Sequence, residues 1–97
     1  MVLVSLRLLD ETYPSELAQL LGIGTYSVQR VLEALEGEGV VVSRLMGRTR
    51  IVKLNPRYFA AEELAALLWS LGKRDADLQR LLAAKRRRPR RAGKPSL

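Results

Sequence analysis

The chain contains neither cysteine nor histidine in its 97 residues. Disulfides, thiolate or imidazole metal ligands, cysteine or histidine nucleophiles and a histidine general base are therefore excluded within it. The Asp, Glu, Lys, Ser, Thr and Tyr that remain form no constellation for catalysis, so no enzyme, metal or cofactor is expected. Long apolar runs are lacking too, and no stretch is of bilayer-spanning length. The opening Met1-Val2-Leu3-Val4 is apolar but has no basic start and no small-residue cleavage site. It is not read as a signal peptide, and a cytoplasmic protein without a membrane partner is expected.

Acidic charge is the scarcer sign, with 10 Asp and Glu against 17 Lys and Arg and a net charge of +7. Its distribution says more than its sum. Residues 1–39 hold two basic and six acidic side chains, and residues 40–57 hold five basic ones and no acid. Residues 58–84 are nearly balanced, and residues 85–97 hold seven basic side chains and no acid. The positive charge thus sits in two blocks, each needing its own explanation.

Hydrophobic spacing predicts the elements. Val2, Leu6, Leu9 and Tyr13 recur at helical spacing, although the β-branched opening leaves a strand as the alternative. Pro14 suits a helix first turn, with Ser15 and Glu16 at its positive end. Leu17, Leu20 and Leu21 then form a stripe that Gly22-Ile23-Gly24 breaks. A third helix from about Thr25 to Glu36 carries Val28, Val31, Leu32 and Leu35 on one face, and Gly37 and Gly39 end it. Val40-Val41-Val42 and Ile51-Val52 flank a turn at Met46-Gly47-Arg48, a hairpin signal that Asn55-Pro56 terminates. A fourth helix runs from about Ala60 to Leu71, with Gly72 interrupting. Another helical stretch follows, with Leu78, Leu81 and Leu82 aligned.

A helix-turn-helix needs a small residue where its helices cross, a glycine in the turn and apolar residues locking the second helix down. Ala18, Gly22, Ile23 as an apolar plug, Val28 and Val31 occupy those places. Residues 32–41, Gly47-Arg48 and Leu54-Asn55-Pro56 extend the pattern. Over residues 5 to 57 the chain resembles the bacterial and archaeal winged-helix transcriptional regulators of the ArsR-like and MarR-like groups. It departs from them in lacking the Cys and His of metal-sensing members, and Gly24 stands where a Ser or Thr cap is frequent.

The resemblance implies an α+β, mostly helical fold: a winged helix-turn-helix with a three-helix core, a β-hairpin wing and a C-terminal helix. The composition of the last residues, rich in cations and proline with little apolar content to fold around, adds a disordered basic tail. The expected division is a DNA-binding domain over 1–57, a helical dimerisation segment over 58–85 and the tail over 86–97. It also implies a homodimeric transcriptional regulator on double-stranded DNA, with the recognition helix 25–36 in the major groove. The wing 40–54 and the tail would lie on phosphates or in the minor groove.

Tyr26, Gln29 and Arg30 are the expected base readers, and Thr25 and Ser27 the phosphate contacts at the helix start. The alternatives are an aromatic lid over the turn for Tyr26 and a solvated face for Gln29 and Arg30. Arg44, Arg48, Arg50 and Lys53, with Arg57 continuing, are read as a basic wing surface unopposed by acids. Arg86, Arg87, Arg88, Arg90 and Arg91 are the tail candidates. Their Arg-Pro-Arg core matches an AT-hook poorly, and a disordered arm adding sequence-independent affinity is preferred to a solubilising tail. Leu64, Leu67, Leu68 and Leu71, with Trp69 on another face, predict a dimer interface, or else a helix folded back on its own core. The rival functions are an RNA-binding winged helix and a winged-helix protein-interaction module.

Overall fold

The structure is a computed structural model describing the backbone of residues 1–87 and the side chains of residues 1–85. The elements run α1 (Val2–Leu9), β1 (Glu11–Thr12), α2 (Pro14–Leu21), α3 (Thr25–Gly37), β2 (Val41–Met46), β3 (Thr49–Leu54), α4 (Ala61–Arg74) and α5 (Ala76–Arg87). The opening segment is helical, as its Val2, Leu6, Leu9 spacing indicated. Val2, Ser5 and Leu6 are its buried positions, one helical face.

Asp10 ends α1 at φ 75 and ψ −67, the angles of a γ-turn, which few side chains tolerate. That tight reversal delivers Glu11 and Thr12 to the sheet edge. The resulting strand was not expected, because two residues carry no periodicity. The sheet order is β1-β3-β2, all antiparallel. Thr12 and Ser43 both pair with Val52, so these three share a face. Thr12 and Val52 are each 2% exposed on it. Gly47 and Arg48 make the two-residue turn between β2 and β3.

The main core joins Val2 and Leu6 of α1, Leu17 and Ala18 of α2, Val28 and Leu32 of α3, and Val41 and Val52 of the sheet. Leu6, Leu17 and Val28 have no exposed surface. Truncating either leucine to Ala should cost about 2–5 kcal/mol.

The fourth helix does not stop at Gly72. It continues to Arg74 with Gly72 buried inside it. A Cβ at that position would lie 2.7 Å from Leu8 Cδ1, so the missing side chain is what allows α1 and α4 to approach closely. Tertiary packing overrides a helix propensity deficit of about 1 kcal/mol there. Arg7 strengthens the same contact, donating from Nε to the Ala65 carbonyl at 3.1 Å and lying 5.0 Å from the Trp69 ring. Lys73 lies 5.6 Å from that ring as well.

Asp75 then starts α5, its Oδ1 accepting the Leu78 backbone N–H at 3.0 Å. Leu78 and Leu82 bury against Leu20, with Val4, Leu8 and Leu9 beside them, in a second core. Leu81, expected in the same row, is 44% exposed because the other two already fill the contact. The helix is therefore folded back on the chain's own α1 and α2, and Lys85 Nζ reaches Glu16 at 2.5 Å.

Candidate nucleic-acid interface

The connection between α2 and α3 builds the site. Gly22 at φ 69 takes the left-handed conformation that closes α2, and its N–H donates to the Ala18 carbonyl at 2.9 Å. Ala18 is 6% exposed, small enough to lie under the crossing helix. Val28 and Leu32 then lock α3 down at 0% and 5% exposure. Two expectations fail here. Ile23 is 44% exposed and is not a plug, and Val31, expected on the inward face of α3, is 41% exposed. Among the described residues, helix α3 packs mainly against α2 and β2. That arc is narrow enough for Val28 and Leu32 to fill it, with Leu35 half-buried at its margin.

The opposite side of α3 is open. Thr25, Tyr26, Ser27, Gln29 and Arg30 are all exposed. Tyr26 is 70% exposed and lies 5.8 Å beneath the Arg30 guanidinium, so it supports a cation rather than capping the turn. Thr25 and Gln29 lie to one side, on the wall of a cleft of about 460 Å³ between α3 and the wing. Its other lining residues include Tyr13, Ser15, Glu33, Glu36, Arg48, Thr49 and Arg50.

The wing cations do not form one unopposed surface. Strand alternation puts Arg50 on the face of Val52, toward α3, where its guanidinium meets Glu36 at 3.3 Å and Ser43 Oγ at 3.1 Å. Ser43 in turn donates to Glu36 at 3.0 Å. Arg44 lies on the other face and reaches over β3 to Glu11 at 3.2 Å. The Arg44 hydrogen bond and charge hold the Glu11 carboxyl below its ordinary value of 4.5, with a lesser pull from Lys53. Among the described residues, Arg48 in the turn and Lys53 opposite Glu11 make no ion pair within 4.0 Å. The expectation of acid-free arginines is corrected for Arg44 and Arg50. Their partners come from β1 and α3, elements that the local sequence of the wing does not contain.

Glu11, Glu36, Ser43 and Thr49 were therefore missed as parts of the site. The parity of β3 put Arg50 on the face of the apolar Val52, toward whatever element covers the sheet, but did not say that Glu36 would meet it there. Nothing in the sequence pointed to Glu11.

The structure places the four α4 leucines unequally. Leu68 is 5% exposed and Leu64 half-buried within this chain, whereas Leu67 and Leu71 are 55% and 48% exposed. Trp69, between Arg7 and Lys73, is 43% exposed on another side. The tail candidates Arg86 and Arg87 belong to the α5 backbone, but their side chains lie outside the described residues, as do Arg88, Arg90 and Arg91 entirely. Among the described residues no three His, Cys, Asp or Glu are grouped to hold a metal ion. No helix there is long and apolar enough to cross a membrane.

Three core helices, a small antiparallel sheet with a protruding hairpin, and helices following it define the winged helix-turn-helix fold. Solved structures share it. The adhesin competence repressor AdcR from Streptococcus pyogenes matches with a TM-score of 0.60 over 84% of this chain and 61% of its own, at 15% identity. A mutant of MarR from E. coli matches with a TM-score of 0.59 over 86% of this chain and 60% of its own, at 23% identity. The chain thus spans about three-fifths of the length of either neighbour. No family model matches the sequence, and no curated protein does. At the level of fold, the MarR-like resemblance read from residues 5 to 57 is borne out.

Proposed function

We propose that the chain is a sequence-specific double-stranded DNA-binding regulator rather than an enzyme, acting as a homodimer. Helix α3 enters the major groove, where Tyr26, Gln29 and Arg30 read base edges and Thr25 and Ser27 contact phosphate. The wing follows the flanking backbone or minor groove, led by Arg48, with Lys53, Arg44 and Arg50 beside it. The basic tail, with Arg86, Arg87, Arg88, Arg90 and Arg91, adds sequence-independent attraction. Leu67 and Leu71 are the α4 leucines left for a partner, with Leu64 and Leu68 backing them from within. A two-fold pair would set its recognition helices about 34 Å apart.

The observation that carries this reading is the division of α3. Val28 and Leu32, with Leu35 at the margin, set its rotation, and that rotation leaves Tyr26 and Arg30 outward and Gln29 on the cleft wall beside a cation-tipped hairpin. Helix and wing are then set to meet one continuous polyanionic groove. The repressor named among the structural neighbours agrees with it. The test is selection of bound sequences from random duplex DNA with the full chain, duplex RNA as competitor. An enriched palindrome with half-sites about one helical turn apart supports the reading. Absence of enrichment, or preference for the RNA, overturns it.

A further inference from the structure

The outermost line of α3 runs Tyr26, Arg30, Glu33 and Gly37, spaced i, i+4, i+7 and i+11 and exposed throughout. It lies opposite the buried Val28 and Leu32, so this line is the one that enters a groove deepest. Its third member is a carboxylate. Three carboxylates around the site are neutralised, Glu36 by Arg50, Glu11 by Arg44 and Glu16 by Lys85, and Glu38, which is not, lies past the end of α3. Glu33 makes no ion pair within 4.0 Å among the described residues. An unpaired negative charge at the centre of a surface that approaches a polyanion is repulsive on every sequence, unless a base supplies a donor.

We infer that Glu33 is a specificity-determining residue that reads cytosine, which rests on the DNA-binding reading above. In the major groove cytosine offers its N4 amine as a donor with no acceptor of its own. Guanine and thymine present acceptors, and adenine sets the N7 lone pair beside its amine. A carboxylate has only acceptors, so cytosine is the base it fits without a lone-pair clash. Arg30, steadied over Tyr26, is the complementary reader, a donor fork suited to guanine N7 and O6. Three residues along a helix advance about 4.5 Å, against about 3.4 Å per base pair. The guanine and the cytosine therefore fall on adjacent base pairs or one step further apart. On every other sequence Glu33 faces phosphates and acceptors. It lowers non-specific affinity and widens the ratio on which a regulator depends.

The test compares the unmodified chain with Glu33→Gln in selection from random duplex DNA and in titration against an unrelated duplex. Glu62→Gln on α4 serves as a control for net charge alone. The unmodified chain should enrich a half-site with a cytosine within two base pairs of a guanine. Changing that cytosine should weaken binding roughly tenfold. Glu33→Gln should relax that position or move it toward adenine, keep the guanine, and raise affinity for the unrelated duplex by about two- to five-fold. Glu62→Gln should do neither. A palindrome enriched identically by both proteins, or a change at a base other than cytosine, overturns the role of Glu33 and leaves the DNA-binding reading standing. If the unmodified chain enriches nothing, both fall together. Glu33 is exposed at the edge of the cleft, and matched melting curves will show whether the variant is folded.

Discussion

Helix α3 and the wing hairpin face the same cleft with opposite charge inventories. Between Thr25 and Gly37 the chain has one cation, Arg30, and two carboxylates, Glu33 and Glu36. Between Val41 and Leu54 it has four cations and no acid. From those counts the wing should be the positively charged element and the helix a weak one. In the folded chain the contrast narrows. Two of the four wing cations are held by carboxylates, Arg44 by Glu11 and Arg50 by Glu36, while Arg30, over the Tyr26 ring, makes no ion pair among the described residues. Charge counted along a chain is therefore not charge presented to a ligand. The wing pairs are half-exposed, and solvent screening leaves such pairs weakly held. A phosphate oxygen can displace either acid, so the wing holds its cations in reserve and in a set direction, whereas the helix presents its one cation outright.

The sharpest way to break that contrast is Arg30→Ala. Affinity for a selected site should fall tenfold or more, and affinity for unrelated duplex much less, because a bidentate base contact is worth about 1–3 kcal/mol of discrimination. Equal losses on both, measured by titration at one salt concentration, would make Arg30 a phosphate contact only. A smaller effect separates the wing cations from one another. Arg48→Ala should lower the slope of log affinity against log salt by about 0.9, one phosphate contact. Arg44→Ala should lower it less, because Arg44 must first leave Glu11. Glu36→Gln should raise non-specific affinity a few-fold by freeing Arg50, and identical slopes for all three variants would dissolve the distinction between held and free cations.

The smallest expected effect is on stability against pH. Because Arg44 depresses the Glu11 carboxyl below 4.5, the pair contributes at neutral pH. That contribution is lost as pH falls below the ordinary carboxylate value. Glu11→Gln should melt slightly lower than the unmodified chain at pH 7, and the gap should close in strong acid. High salt should also close it, since both partners are solvent-exposed. A gap that persists in acid would mean that Glu11 acts through something other than Arg44.

Much of the frame was readable from the residues alone. The Ala18, Gly22, Val28 pattern located the crossing of α2 and α3, and the β-branched runs around Gly47-Arg48 located the hairpin. What was not readable has a common character. Val31 was placed inside by its helical spacing, but spacing defines a face without saying how wide an arc the neighbours cover. Gly72 read as a stop because its propensity is poor, yet Leu8, far away in sequence, occupies the space a side chain would need. The wing read as acid-free because its acids arrive from elsewhere. A strand of two residues left no signal at all.

By itself, then, the sequence determined the helices, the turn between α2 and α3, and the wing. Those are decided by periodicity and backbone preference over a few neighbouring residues. Only the tertiary structure decided which cations are engaged, which leucines of α4 remain outside, and that Gly72 is a point of contact. Each of those rests on partners distant in the chain, such as Arg44 with Glu11 at a separation of 33 residues and Arg7 with Ala65 at 58. Coulomb attraction and close packing act through space, and no local pattern records which distant surface will arrive.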